Sequence, residues 1–334
     1  MKKLLVFLII SMLVSSTFGA SAFDIKWWSQ ETYSNLPGNT LRAWAEDMEG
    51  GSIGTGKKFY VDSGVATGGD SSGTSWTNAI TTIDAAIGKC TASRGDVIYV
   101  APGHAETVAS ATGLVCDVAG VSIIGIGNGS QIPTISLGTA TAAKISVTAA
   151  NVRLSHLKII SALANIAEGI DPTANADGLV VDNCIFSDGA VALELVIAIN
   201  VTADCDNIRI INNRFSTVPA GGCTNAIVLA GGSDNSVISG NVIYGTYTAG
   251  GVLASAAASI NLTVTDNVIG AIDAIGWDNN ASTTGIFARN LIGANTTSIA
   301  AALTGVDAMF CWENYVTGDL NASGIIIPAV DTDG

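Results

Sequence analysis

The stretch NIRIINNRF, beginning at Asn207, returns 28 residues later as NSVISGNVI from Asn235, and 26 residues after that as NLTVTDNVI from Asn261. The shared template is Asn-x-x-apolar-x-x-Asn-x-apolar. Two copies precede these three, NVRLSHLKI from Asn151 and DGLVVDNCI from Asp177, and two weaker ones follow, TGIFARNLI from Thr284 and AMFCWENYV from Ala308. Aligned on the closing Asn (Asn183, Asn213, Asn241, Asn267, Asn290 and Asn314, with Leu157 in the first copy), neighbouring copies lie 23 to 30 residues apart. A fixed period of this size marks a solenoid. Short alternating strands set off by Asn and Gly turns exclude a helical repeat, and the copies lack the fixed leucines of a leucine-rich repeat.

The template predicts two interior columns. One holds Leu154, Val180, Ile210, Ile238, Val264, Phe287 and Cys311; the other holds Ile159, Ile185, Phe215, Ile243, Ile269, Ile292 and Val316. Asn tolerates left-handed backbone at a bend, and its amide bonds backbone groups that a turn leaves open. Stacked at the ~4.8 Å strand spacing, successive amides form a ladder. The expected fold is therefore all-β, a single-stranded right-handed parallel β-helix over residues 57–320, closed by a short N-terminal helical cap.

These repeats resemble those of pectate-lyase-like parallel β-helix proteins. The opening segments YVDSG from Tyr60, SWTNAITTIDAAIGKC from Ser75 and GDVIYVAPG from Gly95 resemble the start of many such proteins, where a short amphipathic helix covers the first coil. Thr77 or Asn78 is expected to cap that helix, with Ile80, Ile83 and Ile87 on one face and Gly88 at its end. The resemblance implies a scaffold that hosts lyases, hydrolases, epimerases and adhesins. In its lyases, carboxylates hold calcium beside a basic arginine. Asp177, Asp182, Asp204, Asp206 and Glu194 are the acids available for that, but their rungs do not converge, so calcium is kept only as an option and no other cofactor is expected.

Outside the repeats, Lys2 and Lys3, the apolar run from Leu4 to Val14 and Ala20-Ser21-Ala22 read as a signal peptide over residues 1–22. The expected location is secreted, with no membrane attachment after cleavage. Residues 23–56 form an extension with a short helix expected through Leu41, Trp44 and Met48, and with Trp27, Trp28 and Trp44; residues 321–334 form a tail. The chain of 334 residues carries a formal charge of −14, which argues against nucleic acid as a partner. Six cysteines in an oxidising compartment permit disulfides, with Cys205 and Cys223 the closest pair within one coil, but they show no zinc spacing, and no metal site is expected.

Two features bear on function. Placing His156 and Asp182 on adjacent rungs gathers Arg153, Arg209, Lys158 and Arg214 around them. This suggests an anion patch with His156, Asp182 and Arg209 as catalytic groups and Arg153, Lys158 and Arg214 as substrate-binding groups for an acidic polysaccharide. Against it, Leu179, Val181, Ile211, Val237, Ile286, Phe310 and Trp312 are read as outward and apolar, which marks a covered face. The leading expectation is a non-catalytic extracellular structural or binding protein that self-associates, as a homo-oligomer or filament, or attaches to a cell-surface or viral structure. A polysaccharide lyase, hydrolase or epimerase is the alternative.

Overall fold

A computed structural model describes residues 56–66, 69–218, 222–272, 275–294, 302–317 and 325–327. The expected signal segment, the Trp-rich extension up to residue 55 and most of the tail lie outside the described residues. The chain winds as a right-handed parallel β-helix of three sheets around one apolar interior. Each turn visits sheet A, then B, then C. Sheet A has ten strands, from Lys58–Val61 to Met309–Trp312; sheet B has ten, from Ala105–Val108 to Ile325–Ile327; sheet C has eight, from Leu114–Cys116 to Leu303–Thr304. Among the described strands every pairing is parallel except the last in sheet B, where Ile325–Ile327 runs antiparallel to Asn314–Thr317.

Interior columns follow from the period-2 alternation of each strand. In sheet A, Leu154, Val181, Ile210, Ile238, Val264, Phe287 and Cys311 are in register. In sheet B, Ile159, Phe186, Phe215, Ile243, Ile269, Ile292 and Val316 are in register, with the Phe186 and Phe215 rings stacked 4.8 Å apart. Apart from the partly buried Cys311, all of these are buried, and each buried aliphatic or aromatic side chain contributes about 1.5–3 kcal/mol.

One repeat departs from the expected alignment. Val181, not Val180, and Phe186, not Ile185, occupy the interior columns, so the second copy begins at Gly178 rather than Asp177. A one-residue slip turns every side chain of a strand to the opposite face. Leu179 and Val181, expected outside, are fully buried, and Val180 lies outward between Arg153 and Arg209.

The Asn ladder shifts accordingly. Asn213, Asn241, Asn267, Asn290 and Asn314 form it: each Oδ1 from Asn241 to Asn314 accepts both the backbone N–H and the Nδ2 of the preceding rung at 2.9–3.1 Å. Asn183 is not in the ladder. It lies one position earlier, in a column of left-handed residues at the A-to-B corner with His156, Asn212, Gly240, Asp266, Arg289 and Glu313. Asn151, Gly178, Asn207, Asn235 and Asn261 form a second left-handed column at the C-to-A corner. Beside it runs an aspartate column. Asp177 Oδ1 accepts Asp206 N–H at 2.9 Å, Asp206 Oδ1 accepts Asp234 N–H at 2.9 Å, and Asp234 Oδ1 accepts Ile260 N–H at 2.6 Å.

The cap is present but shorter than expected. The α-helix is Ile83–Ile87, started by Thr82, whose side chain accepts the Ala85 N–H, and followed by Gly88. Thr77 and Asn78 belong instead to a separate 3-10 turn, Trp76–Asn78, because Ile80 bridges back to Val61 before the helix begins. The six cysteines are unpaired thiols. Cys205 Sγ donates to Thr173 O and Cys223 Sγ to the Asp188 carboxylate, so the expected closest pair turns to different partners.

Candidate functional site

The six residues singled out from sequence share three rungs but not one surface. Arg153 and Arg209 project from the outer face of sheet A, Lys158 and Arg214 from the outer face of sheet B, and His156 sits at the corner between them. Arg153 grips Asp182 with two bonds of 2.8 and 2.9 Å, while Ser155 Oγ donates to the same carboxylate at 3.0 Å and Asn183 Nδ2 at 2.8 Å. Burial pushes the Asp182 carboxyl up, but Arg153, with Ser155 and Asn183, outweighs it and holds the group below the usual carboxylate range. The His156 ring bonds Gly127 O through Nε2 at 2.6 Å, and its backbone N–H donates to Asp182 O at 3.0 Å. The slip of the second repeat separates the two side chains, since Asp182 registers with Ser155 and Asn183 takes the corner beside His156. Arg209, Lys158 and Arg214 have no ion-pair partner among the described residues.

A second cluster lies on the outer side of sheet C. Lys144 Nζ bridges Glu168 Oε2 at 2.7 Å and Asp171 Oδ2 at 2.6 Å, and Asn200 Nδ2 donates to Glu168 Oε1 at 2.6 Å. Burial alone would lower Lys144, but the two carboxylates outweigh it and hold the ammonium above its ordinary value. The buried Asn200 Oδ1 has no hydrogen-bond partner. Sequence reasoning missed this group because Lys144 lies before the first recognisable repeat. Glu168, Asp171 and Asn200 fall in the variable part of the coil, where the template has no anchor. Among the described residues, no three of His, Cys, Asp and Glu are grouped to hold a metal ion.

The third feature is the outer face of sheet B. Its outward positions run Thr134, Lys158, Ile185, Arg214, Val242, Val268, Leu291, Tyr315 in one column and Ser136, Ile160, Ser187, Ser216, Tyr244, Gly270, Gly293 in the next. Neither column contains an acid, in a chain with 28 Asp and Glu against 14 Lys and Arg. Val242, Val268, Leu291 and Tyr315 are 42–50% exposed and Tyr244 is 62% exposed. Around them is an open groove of about 440 Å³ lined by Arg214, Tyr244 and the glycine backbone. Gly270 leaves room for the Tyr244 ring, which a Cβ at that position would meet at 3.0 Å. Sheet A supplies less than expected. Ile211, Val237, Ile286 and Trp312 are half-buried, and Phe310 alone stands well out, at 76% exposed.

Neither a family profile nor a curated protein matches this chain. Among solved structures, a rhamnogalacturonan lyase superposes with a TM-score of 0.51 at 14% identity, covering 73% of this chain and 71% of that one. The likeness is one of fold, and the fold is the pectate-lyase-like parallel β-helix that the repeats indicated.

Proposed function

We propose that this protein is a non-catalytic β-helix of the extracellular space that works by contact, using the outer face of sheet B. The observation that carries this reading is the exposed column Val242–Val268–Leu291–Tyr315, four apolar residues on four successive rungs. Soluble proteins rarely leave a contiguous apolar strip open, and such a strip marks a surface that meets something. The leader-like sequence from Lys2 to Ala22 supports secretion. The direct test is paired: sedimentation of the protein with and without calcium, and a turnover assay on a panel of acidic polysaccharides. Association or ligand binding without turnover supports the reading; turnover of any polysaccharide overturns it.

The alternative, a lyase, hydrolase or epimerase acting on an acidic polysaccharide, is favoured by one observation. The Lys144–Glu168–Asp171 group places two carboxylates and an ammonium within bonding distance at a partly exposed site, a set suited to proton transfer. The patch around His156 is the other location for such chemistry. Loss of turnover in Lys144→Ala, with turnover kept in His156→Ala, would assign it to sheet C.

A further inference from the structure

We propose that a second copy of this chain seats on the outer face of sheet B, with the two helix axes antiparallel, about a two-fold axis running along strand Val268–Ile272. The inference rests on the reading of the protein as one that works by contact, and it names the partner. Two observations carry it, the charge of the face and the order of its side chains.

Two copies carrying −14 each repel, most strongly where acids face acids. The outward positions of sheet B from Thr134 to Tyr315 contain none, and their cations are Lys158 and Arg214. The strands of this face can therefore meet without setting carboxylate on carboxylate; the acids that border it, Asp266 and Glu313, lie at the A-to-B corner, where Asp266 is paired with Arg289.

The order of residues is self-complementary when reversed. Along the axis the first column reads Arg214, Val242, Val268, Leu291, Tyr315. Turned against itself about Val268, it sets Val242 against Leu291 of the partner subunit and Arg214 against the partner's Tyr315, a guanidinium over an aromatic face. The second column reads Ser216, Tyr244, Gly270, Gly293. The same reversal sets the protruding Tyr244 against the partner's Gly293, where the groove has no side chain to obstruct it. Every contact off the axis is then made twice, as a two-fold interface requires, and Val268 meets its own copy on it. Five rungs at ~4.8 Å span roughly 19 Å between the outer two, a compact face that falls toward the small end of specific interfaces. The dimer is accordingly reversible and concentration-dependent.

The test is a charge exchange in the full chain, read by sedimentation velocity. Val242→Glu and Leu291→Lys each place two unpaired charges in the interface, one from each copy, and should raise the dimer dissociation constant at least tenfold. Both positions point outward, so circular dichroism should show an unchanged fold. The double variant should recover to within about threefold of wild type, because each new Glu meets the partner's Lys. Within one chain the two positions are two rungs, ~9.6 Å, apart with Val268 between them, so an equimolar mixture of the two single variants, in which Glu and Lys lie on different chains, should recover likewise. Failure of the double variant to recover overturns the antiparallel register, and dimers unaffected by either single change overturn the face. A monomeric wild type that binds an acidic polysaccharide without turnover overturns the pairing and leaves the contact reading standing. Turnover of the polysaccharide by a dimeric wild type does the reverse.

Discussion

Cys184 stands in line with Asn213: its backbone N–H donates to Asn213 Oδ1 at 2.8 Å, the bond that each ladder asparagine makes to the next. Its Sγ reaches Leu154 O at 3.6 Å, where Asn213 Nδ2 reaches Val181 O at 2.8 Å. The thiol is a weak stand-in for an amide. Cys184→Asn should therefore extend the ladder by one rung and add about 1 kcal/mol, a rise of roughly 2–4 °C in Tm for a domain of this size. Asn183→Gly should cost about 1 kcal/mol, since glycine accepts the left-handed corner (φ 54) freely and the bond lost is that to the Asp182 carboxylate. By contrast, Asn241→Ala removes a fully buried amide and leaves its neighbours' donors unpaired, costing about 2–4 kcal/mol. Thermal melts of the three variants check the order; equal losses at Asn183 and Asn241 would contradict it.

The template itself was legible because side chains that repeat on the interior of a coil must be apolar on every rung, and the ladder must be Asn wherever its amides bond one another. Its second copy was misread for a physical reason. Asn serves both the left-handed corner and the ladder, which lie side by side, as Asn212 and Asn213 show. In DGLVVDNCI one Asn is present and takes the corner, so alignment on it shifts the strand by one. Apolarity did not expose the slip because Leu179, Val180 and Val181 are all apolar. Val181→Asp should unfold the protein, burying an unpaired charge, whereas Val180→Asp should cost less than about 1 kcal/mol. Denaturant melts of the pair would locate the register directly.

The candidate site was less legible. Basic residues near His156 were visible, but which sheet each faces depends on where the corner falls. The corner divides them between two faces. Lys144, Glu168, Asp171 and Asn200 converge only because Glu168 and Asp171 share one strand beside that of Asn200, and no local pattern announces that. The apolar column of sheet B was written in the sequence one residue after each of the last four closing Asn, at Val242, Val268, Leu291 and Tyr315. It became a surface only once the stacking placed those positions outward.

Asp177, Asp206 and Asp234 stack like charges on adjacent rungs, each spending one oxygen on the next rung's backbone. Asp206→Asn keeps that acceptor and removes the central charge. Stability should rise by about 0.5–1 kcal/mol at low ionic strength, and the gain should shrink in high salt as screening takes over. A loss of stability at low salt would show that the column needs its charge.

The Arg153–Asp182 pair makes folding sensitive to acid. With its folded-state value depressed, Asp182 contributes stability that is fully present above its unfolded value of about 3.9 and is lost as pH falls through the lower folded value. Arg153→Ala should cost about 1–2 kcal/mol at neutral pH, less than a fully buried pair because Arg153 is half exposed. The gap between variant and wild type should begin to narrow as pH falls below about 3.9. Tm measured from pH 7 to pH 3 tests this, and a gap constant across that range would contradict it.

The most direct measurement of the central claim uses Val268, the position that faces its own copy across the two-fold axis. Sedimentation equilibrium of wild type over a wide concentration range, beside Val268→Asp, asks whether this acidic chain associates and whether sheet B is the face it uses. The account predicts a concentration-dependent dimer for wild type. It also predicts a folded monomer for Val268→Asp, in which two carboxylates would meet at the centre. A wild type that remains monomeric at the highest concentration, or a Val268→Asp protein that dimerises as wild type does, would contradict it.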